Sequence, residues 1–276
     1  MDRYQFGAGE HAAIARLAFD EAGIVLAPNK AQLVYGRLAR LVRACGLDSF
    51  ADYVVRIEED ADERARAVDA LTTNHTGFFR ESHHFDHFVA EVWPTLRRRL
   101  AEGGRVRLWS AACSSGEEPY TFVIAALGRE KGLARELASR DFRVLATDLS
   151  QTILTAARAG RYPQDVASTI PAALRALWTE PTEDGFAIAE GARAPIAFRP
   201  LNLLRPWPMR NRFDAIFCRN VMIYFDEATK ARLQARLADQ LAPGGFLYIG
   251  HSERLAADVA PRFASIGRTI YRKVDA

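Results

Sequence analysis

The sequence predicts an α/β protein in two parts, a small all-α domain followed by a domain built around a mainly parallel sheet. Two observations predict this. Up to about residue 70, apolar residues recur with helical spacing and no strand pattern interrupts them. After Trp93, short runs typical of buried strands alternate with helical segments of ten residues or more, which is the pattern of βαβ units.

The predicted elements follow in order along the chain. The helices of the first part span residues 12–22, 30–45, 49–58 and 62–71. The strands of the second part span residues 106–110, 142–147, 196–200, 215–218, 246–250 and a closing strand, 268–272, which should pair with a neighbour after the bend at Pro261. Residues 71–92 are rich in His, Thr, Asn and Phe, so we interpret them as a functional linker. The expected domains are therefore 1–70 and 93–276.

Composition limits the location and the partners. The 276 residues are 49% hydrophobic, which suits one large core plus a smaller domain. The net charge of +3 is too small to predict binding to nucleic acid or to an anionic membrane surface. Three separated cysteines without a CxxC pair indicate neither disulfides nor zinc. No signal peptide and no apolar run of the roughly 20 residues needed to span a bilayer is found. We expect a cytoplasmic monomer without metal, nucleic-acid partner or membrane insertion.

The first predicted strand ends in a turn of small residues, 111–116, and a helix that begins with Glu117 and Glu118. Small residues allow a ligand to approach the backbone closely. The turn lacks the GxGxxG pattern, and two carboxylates at a helix N-terminus would repel a pyrophosphate. A positively charged ligand without phosphates fits better, because Glu117 could face an ammonium or sulfonium group. The alternative is that both acids only complement the helix dipole.

Polar residues also follow the other strands of the second part. Asp148 ends the second strand, where nucleotide-binding α/β folds hold ribose hydroxyls, although it could equally cap the helix from Gln151. Arg219 and Asn220 end the strand that begins near Asp214. Polar groups gathered at the carboxyl ends of parallel strands predict a ligand crevice at that edge.

Five motifs, in order and spread over most of the chain, resemble the CheR chemoreceptor methyltransferases. They are LTTNHTGFFRE (71–81), WSAACSSGEEPY (109–120), ATDLS (146–150), FCRNVMIYF (217–225) and GHSE (250–253). The resemblance implies an all-α N-terminal domain and a Rossmann-like methyltransferase domain that uses S-adenosylmethionine and releases S-adenosylhomocysteine. It also implies that the acceptors are glutamate side chains on the cytoplasmic domains of methyl-accepting chemotaxis receptors, whose methyl esters serve sensory adaptation.

The resemblance assigns roles residue by residue where the motifs match. The implied cofactor-binding residues are Asn74, Thr76, Arg80, Glu117, Asp148, Asn202, Leu203, Arg219 and Asn220. Arg80 and Tyr224 are implied to orient the incoming glutamate and the methyl donor. Cys113 stands where the family turn usually has Gly or Ala, a departure that should leave the backbone contacts unchanged.

Methyl transfer to a carboxylate requires few catalytic groups. It is a single in-line displacement at a sulfonium methyl, and a glutamate with a pKa of about 4.3 is already ionised at neutral pH, so no general base is needed. The sequence accordingly offers no convincing Ser-His-Asp or Cys-His arrangement. Positioning and the exclusion of water are the expected contributions of the enzyme.

The second predicted helix carries an arginine stripe. Arg37, Arg40 and Arg43 recur at spacing three, opposite an apolar face formed by Val34, Leu38, Leu41 and Val42. The pattern places all three arginines on one exposed side of the helix, which is either a solvated face or a docking surface. The resemblance implies the second, since the corresponding helix of CheR-like proteins meets the acidic methylation helices of the receptor.

Several alternatives stay open at this point. Residues 183–198 are predicted as a small β insertion, which some family members use to bind a peptide tether, but their Ala-rich sequence does not decide this use. His83 and His87 form an i, i+4 pair without a third ligand, so no metal site is expected. Two other functions compete with receptor methylation. The protein could methylate another acceptor, or it could be a non-catalytic module that binds the cofactor and passes a signal to a partner.

Overall fold

A computed structural model describes residues 4–274 and divides into two compact units. The first runs to Thr73 and includes Tyr224–Thr229, and the second consists of Asn74–Ile223 and the chain from Lys230 onward. The predicted linker, 71–92, therefore belongs mostly to the second unit.

The first unit contains α1 (Ala8–Ala22), α2 (Ala31–Ala44), α3 (Phe50–Glu59) and α4 (Ala61–Leu71). Side chains cap two of these helices: Ser49 Oγ accepts from the N–H of Asp52, and Asp60 Oδ1 accepts from the N–H of Asp62. The predicted apolar face of α2 is confirmed, since its four residues are buried. The all-α fold of this unit thus follows from helical periodicity and local capping.

The second unit has ten strands within the part of the chain that the structure describes. They are β1 (Arg105–Ala111), β2 (Asp141–Asp148), β3 (Arg161–Pro163), β4 (Thr179–Thr182), β5 (Gly185–Ile188), β6 (Ile196–Pro200), β7 (Phe213–Cys218), β8 (Leu241–Ile249), β9 (Phe263–Gly267) and β10 (Ile270–Lys273). The main sheet has the order β6-β2-β1-β7-β8-β10-β9. Its first five strands are parallel and β10 is antiparallel to both neighbours. The predicted α/β fold is confirmed, and the strand order reverses between β1 and β7, which is the switch point where such sheets bind ligands.

The helices of this unit are α5 (His83–His87), α6 (Trp93–Ala101), α7 (Glu117–Leu127), α8 (Lys131–Ala138), α9 (Gln151–Ala159), α10 (Ala172–Trp178), α11 (Glu190–Arg193) and, from Lys230 onward, α12 (Glu227–Gln240). The π-helical stretch Phe88–Val92 joins α5 to α6 without a break. Residues 83–92 are therefore not a linker but the first half of a helix. Phe85, Phe88 and Val92 explain this, because their spacing places them together in the core.

The predicted β insertion at 183–198 has the wrong bounds. A separate antiparallel sheet of order β3-β5-β4 covers 161–188, while α11 and β6 occupy most of the residues after Ile188. Strands of three or four residues are too short for an alternating pattern to reveal them. The aromatic rings of Tyr162 and Phe186 pack in this sheet, and Phe78 lies edge-on to Tyr162 at 4.8 Å. The small sheet thereby supports the turn that leads to Arg80.

No helix among residues 4–274 is long and apolar enough to cross a bilayer.

Candidate active site

Three N–H groups of the turn after β1 are bound by oxygen atoms of the protein. The N–H of Cys113 donates to the carbonyl of Thr147 (2.8 Å), that of Ser114 to Asp148 Oδ2 (2.8 Å), and that of Gly116 to the carbonyl of Cys113 (3.0 Å). A phosphate site at this place would need such groups to face the ligand. The arrangement agrees with the prediction of a ligand without phosphates.

Gly116 allows this turn to close. Its φ of 96° lies in the left-handed region, and a Cβ at this position would stand 3.1 Å from both the Cβ of Ala157 and the hydroxyl of Tyr162. The Tyr162 hydroxyl in turn donates to the carbonyl of Ser115 at 2.7 Å. Only glycine fits here without displacing its neighbours.

Asp148 is buried at the carboxyl end of β2 and is oriented by backbone groups. Its Oδ2 accepts from the N–H of Ser114, and its Oδ1 accepts from the N–H of Ser150 at 3.0 Å. The helix that starts at Gln151 is capped by Ser150, whose Oγ accepts from the N–H of Ile153 at 3.0 Å. The alternative that Asp148 caps this helix is therefore wrong, and its carboxylate is held beside the turn after β1.

Glu117 and Glu118 at the start of α7 have different surroundings. Glu117 is buried, and Ser115 Oγ donates to its carboxylate at 2.7 Å. Burial raises the pKa of Glu117, while this hydrogen bond lowers it by a smaller amount. Glu118 receives Ser110 Oγ at 2.7 Å and pairs with Arg219 at 3.0 Å. Burial raises the pKa of Glu118, and Arg219 opposes this rise. Complementing the helix dipole is thus not the only role of Glu118.

Arg219 is bound by protein groups on several sides. Its side chain is 3% exposed and lies between the carboxylates of Glu118 and Glu81, the latter at 3.4 Å. It also donates to the carbonyl of Arg80, and its guanidinium stands 5.4 Å from the centre of the Phe85 ring. The residue that was expected to contact the cofactor therefore holds together the segments around it.

Glu253 holds the loop after β7. Its buried carboxylate accepts from the N–H groups of Gly250 (2.6 Å), Met222 (2.8 Å) and Asn220 (3.2 Å). Burial raises the pKa of Glu253, and these N–H groups oppose the rise. A Cβ on Gly250 would stand 2.5 Å from Asn220 Nδ2, so glycine is required for the loop to pack. Asn220 itself has a left-handed φ of 58°.

The segment 74–80 lies against the turn after β1. The carbonyl of Asn74 accepts from Ser114 Oγ at 3.3 Å, and Thr76 is half-buried. The guanidinium of Arg80 donates to the carbonyl of His75 at 2.7 Å. The structure thereby brings the predicted residues of this segment to the same edge of the sheet as Asp148.

Asn202 and Leu203 follow β6 at that edge as well. The N–H of Leu201 donates to the carbonyl of Asp148 at 2.9 Å, and Asn202 Oδ1 accepts from the N–H of Leu204 at 2.9 Å. Leu203 is buried, and its carbonyl accepts from Arg236 Nη1 at 2.7 Å. Without the family resemblance this stretch would pass as an ordinary loop.

Tyr224 is grouped with the first unit, unlike the predicted cofactor-binding residues. Its carbonyl accepts from the N–H of Val25 at 2.9 Å, and its side chain is half-buried. Its role in orienting the reactants stays a prediction.

The arginine stripe of α2 is only partly exposed. Arg37 is half-buried and donates to the carbonyls of Leu71 (2.5 Å) and Thr72 (2.8 Å) and to Thr73 Oγ1 (2.7 Å). It therefore satisfies the C-terminal carbonyls of α4, which corrects the expectation of a uniformly exposed stripe. Arg40 and Arg43 are exposed.

The histidines of α5 have structural partners. His84 Nε2 lies 2.9 Å from Thr269 Oγ1, His83 Nε2 lies 3.2 Å from the carbonyl of Arg268, and His87 Nδ1 lies 2.9 Å from the hydroxyl of Tyr248. Burial, with Arg219 nearby, lowers the pKa of His84 to about 3. Between residues 4 and 274 no cluster of His, Cys, Asp and Glu could hold a metal ion.

Comparison with known proteins identifies the scaffold. The family model described as "CheR methyltransferase, SAM binding domain" matches residues 74–272, and that described as "CheR methyltransferase, all-alpha domain" matches residues 10–72. The chain belongs to the CheR methyltransferase family. The second unit is accordingly a methyltransferase domain that binds S-adenosylmethionine.

Curated members of the CheR family align over most of this chain. A probable chemotaxis protein methyltransferase of Rhizobium etli is 42% identical over 262 residues, which cover 93% of this chain and 96% of that protein. Chemotaxis protein methyltransferase 2 of Pseudomonas aeruginosa is 40% identical over 256 residues, 90% and 87% of the two chains. The chemotaxis protein methyltransferase of Escherichia coli is 37% identical over 268 residues, 94% and 88%. These relatives support methylation in chemotaxis.

The chemistry of the crevice suits the cofactor of the CheR family. Buried carboxylates at Glu117 and Asp148 can accept hydrogen bonds from an ammonium group and from ribose hydroxyls. Three acids that were not among the predicted site residues, Glu81, Glu118 and Glu253, hold this crevice together. Glu81 and Glu253 each end a motif that was recognised by resemblance, which was the one available signal for them.

Proposed function

We propose that the protein transfers the methyl group of S-adenosylmethionine to glutamate side chains on the cytoplasmic domains of methyl-accepting chemotaxis receptors. The reaction takes place in the cytoplasm and leaves glutamyl methyl esters and S-adenosylhomocysteine. The observation that carries the proposal is the acidic crevice at the switch point of a CheR-family sheet, where the carboxylates of Glu117 and Asp148 are buried beside the turn after β1.

Each polar group of the crevice has a proposed role in holding the cofactor. Asp148 binds the ribose hydroxyls, and Glu117 binds the ammonium of the methionine part. Asn202 and Leu203, on the loop after β6, also bind the cofactor. The remaining contacts come from the family positions Asn74, Thr76, Arg80 and Asn220. Arg219 holds the segments that carry these contact residues in place, because its guanidinium is already bound by two carboxylates and a carbonyl.

The acceptor needs orientation rather than activation. The cofactor supplies an electrophilic methyl group on a sulfonium, and the acceptor carboxylate is already ionised at neutral pH. Arg80 presents a guanidinium with five N–H donors, one of which binds the His75 carbonyl, and it orients the acceptor carboxylate. Tyr224 assists in this orientation. Excluding water strengthens the attraction between the anionic acceptor and the cationic donor, whose charges neutralise each other during transfer.

The exposed arginines of α2 provide the receptor contact in this proposal. Arg40 and Arg43 stand one turn apart on the outer side of the helix, where acidic receptor helices can dock. Arg37 contributes indirectly by fixing the end of α4. Such a contact depends on salt, because exposed charges are screened beyond about 10 Å at moderate ionic strength.

The experiment is a transfer assay with methyl-labelled S-adenosylmethionine and receptor cytoplasmic fragments. Base-labile label on the receptor is expected with the wild-type protein, with a strong loss in Arg80→Ala and a smaller one in Tyr224→Phe. Arg98→Ala serves as control, since Arg98 is exposed on α6. Cofactor binding without transfer would show a non-catalytic module, and label on RNA or a small molecule would show another acceptor. Full turnover by Arg80→Ala would contradict the role of that residue.

A further inference from the structure

The backbone on both sides of Arg80 is strained. Phe79 has a φ of 54° and Glu81 a φ of 56°, both in the left-handed region that residues with a Cβ rarely adopt. Such a conformation persists only where the surrounding structure holds it, and it clusters at functional sites. The position of Arg80 therefore depends on contacts that its neighbours make.

Glu81 makes most of these contacts on the carboxyl side. Its side chain is 11% exposed, and its Oε1 accepts from Asn220 Nδ2 (3.3 Å) and from the backbone N–H (3.3 Å) and Nδ1 (3.0 Å) of His251. Its Oε2 lies 3.4 Å from Arg219 Nη2. One carboxylate thus joins the turn that bears Arg80 to the ends of two neighbouring strands, β7 and β8.

The contacts of Arg219 extend this connection. The same guanidinium that pairs with Glu81 donates to the carbonyl of Arg80 and pairs with Glu118 on α7. Loss of the Glu81 charge would leave Arg219 with one carboxylate fewer in a site that is almost closed to water. Both the carbonyl of Arg80 and the amide of Asn220 would then lose a fixed partner.

The charge state of Glu81 supports this arrangement. Burial alone would raise the pKa of Glu81, but Arg219 and the hydrogen bonds from His251 and Asn220 outweigh burial and lower it to about 2. The carboxylate is therefore ionised at neutral pH and able to accept from all of its donors.

We propose that Glu81 is a positioning residue for methyl transfer: it fixes the side chain of Asn220 and, through Arg219, the carbonyl of Arg80, without contacting the cofactor or the acceptor itself. This rests on the proposed function for its effect on turnover. Its effect on cofactor binding is independent of the acceptor, because Asn220 and Arg80 are proposed cofactor contacts.

The test measures binding of S-adenosylhomocysteine by calorimetry and methyl transfer to receptor fragments. Glu81→Gln keeps the size of the side chain but removes the charge and replaces one acceptor by a donor. We expect the affinity for S-adenosylhomocysteine to fall about tenfold and the KM for the receptor to stay unchanged. A tenfold loss lies in the range that mutations in networks of packed side chains produce at a site they do not contact. Glu91→Gln changes an exposed acid in the π-helical stretch Phe88–Val92 and should leave both measurements unchanged.

A double-mutant cycle separates positioning from general destabilisation. If Glu81 acts through Asn220, adding Glu81→Gln to Asn220→Ala should weaken binding by much less than the tenfold of the single variant. His251→Ala is the second variant, because His251 is exposed yet contacts Glu81, and it should give a smaller loss that is likewise not additive with Asn220→Ala.

Wild-type affinity in Glu81→Gln, with or without a lowered Tm, would overturn the proposal. Full additivity of Glu81→Gln with Asn220→Ala would overturn it as well. If Glu81→Gln does not fold, the cycle of His251→Ala with Asn220→Ala replaces it, and additive losses of affinity in that cycle would overturn the proposal. Should the wild-type protein bind S-adenosylhomocysteine but methylate no receptor, the proposed function fails while the binding cycle still tests Glu81.

Discussion

Arg219, the residue that follows β7, donates from Nη1 to the carboxylate of Glu118 in the first turn of α7, at 3.0 Å. The side chains are 3% and 12% exposed, so little water screens the pair. It joins the two elements that border the switch point of the sheet, and the ligand crevice opens between them. The shape of the crevice therefore depends on the buried ion pair between Arg219 and Glu118.

Arg219→Met tests how much this buried ion pair contributes to stability. It leaves Glu118 and Glu81 without their shared cation, and removing one partner of a buried pair typically costs about 3–5 kcal/mol of unfolding free energy. Urea unfolding measures the change. Arg97→Met is the matched control, because the Arg97–Glu130 pair is 38% and 60% exposed and should cost less than about 1 kcal/mol. Equal losses in the two variants would contradict the assigned role of Arg219.

Arg236 should affect the cofactor loop although it lies on α12. Its guanidinium donates to the carbonyls of Leu203 (2.7 Å) and Arg205 (2.6 Å) and stacks 4.0 Å from the centre of the Trp207 ring. Arg236→Met keeps the aliphatic stem but loses these contacts, so we expect stability to fall by about 1–3 kcal/mol and affinity for S-adenosylhomocysteine to weaken severalfold. Calorimetry and urea unfolding measure the two effects, and unchanged affinity would show that the loop is positioned without Arg236.

The arginines of α2 should separate into two classes. Arg37→Ala removes the donors that satisfy the end of α4 and should lower the free energy of unfolding by about 1–3 kcal/mol. Arg40→Glu with Arg43→Glu should leave stability within about 0.5 kcal/mol, as exposed substitutions do, but raise the KM for receptor fragments, most strongly at low salt. A receptor KM that the double reversal does not change would contradict docking on α2.

Acid should destabilise the protein through His84. The folded pKa of about 3 lies below the ordinary 6.5, so between these values the unfolded chain binds one proton more than the folded chain. Stability should therefore fall with decreasing pH by up to about 1.4 kcal/mol per pH unit below about pH 6.5. His84→Gln preserves a nitrogen near Thr269 Oγ1 but does not titrate, so its stability should change less with pH.

Urea unfolding at about pH 7.5 and about pH 5 measures this dependence of stability on pH. Both values lie above the ordinary pKa of Glu81, 4.5, and above its folded pKa of about 2, so Glu81 contributes little to the difference. The same slope in His84→Gln and the wild type would assign the acid sensitivity to other groups.

The sequence predicted what periodicity and chain order determine. The apolar face of α2, the parallel strands and the polar residues at their carboxyl ends follow from local patterns, and resemblance added Asn202 and Leu203. The contacts of Arg219 could not be predicted, because the Arg80 carbonyl is 139 positions away in sequence and Glu118 is 101 positions away. The exposure of Arg37 was mispredicted for a similar reason, since its partners Leu71 and Thr72 lie at the C-terminal end of another helix.

The central claim is that glutamate carboxylates of chemotaxis receptors accept the methyl group. Peptide mapping by mass spectrometry, after the purified protein has been incubated with S-adenosylmethionine and a receptor cytoplasmic fragment, tests it most directly. We predict methyl esters on glutamate side chains of the fragment, removed by mild base and absent when S-adenosylmethionine is replaced by S-adenosylhomocysteine. Methylation confined to other side chains, or cofactor binding with no modified residue, would contradict the claim.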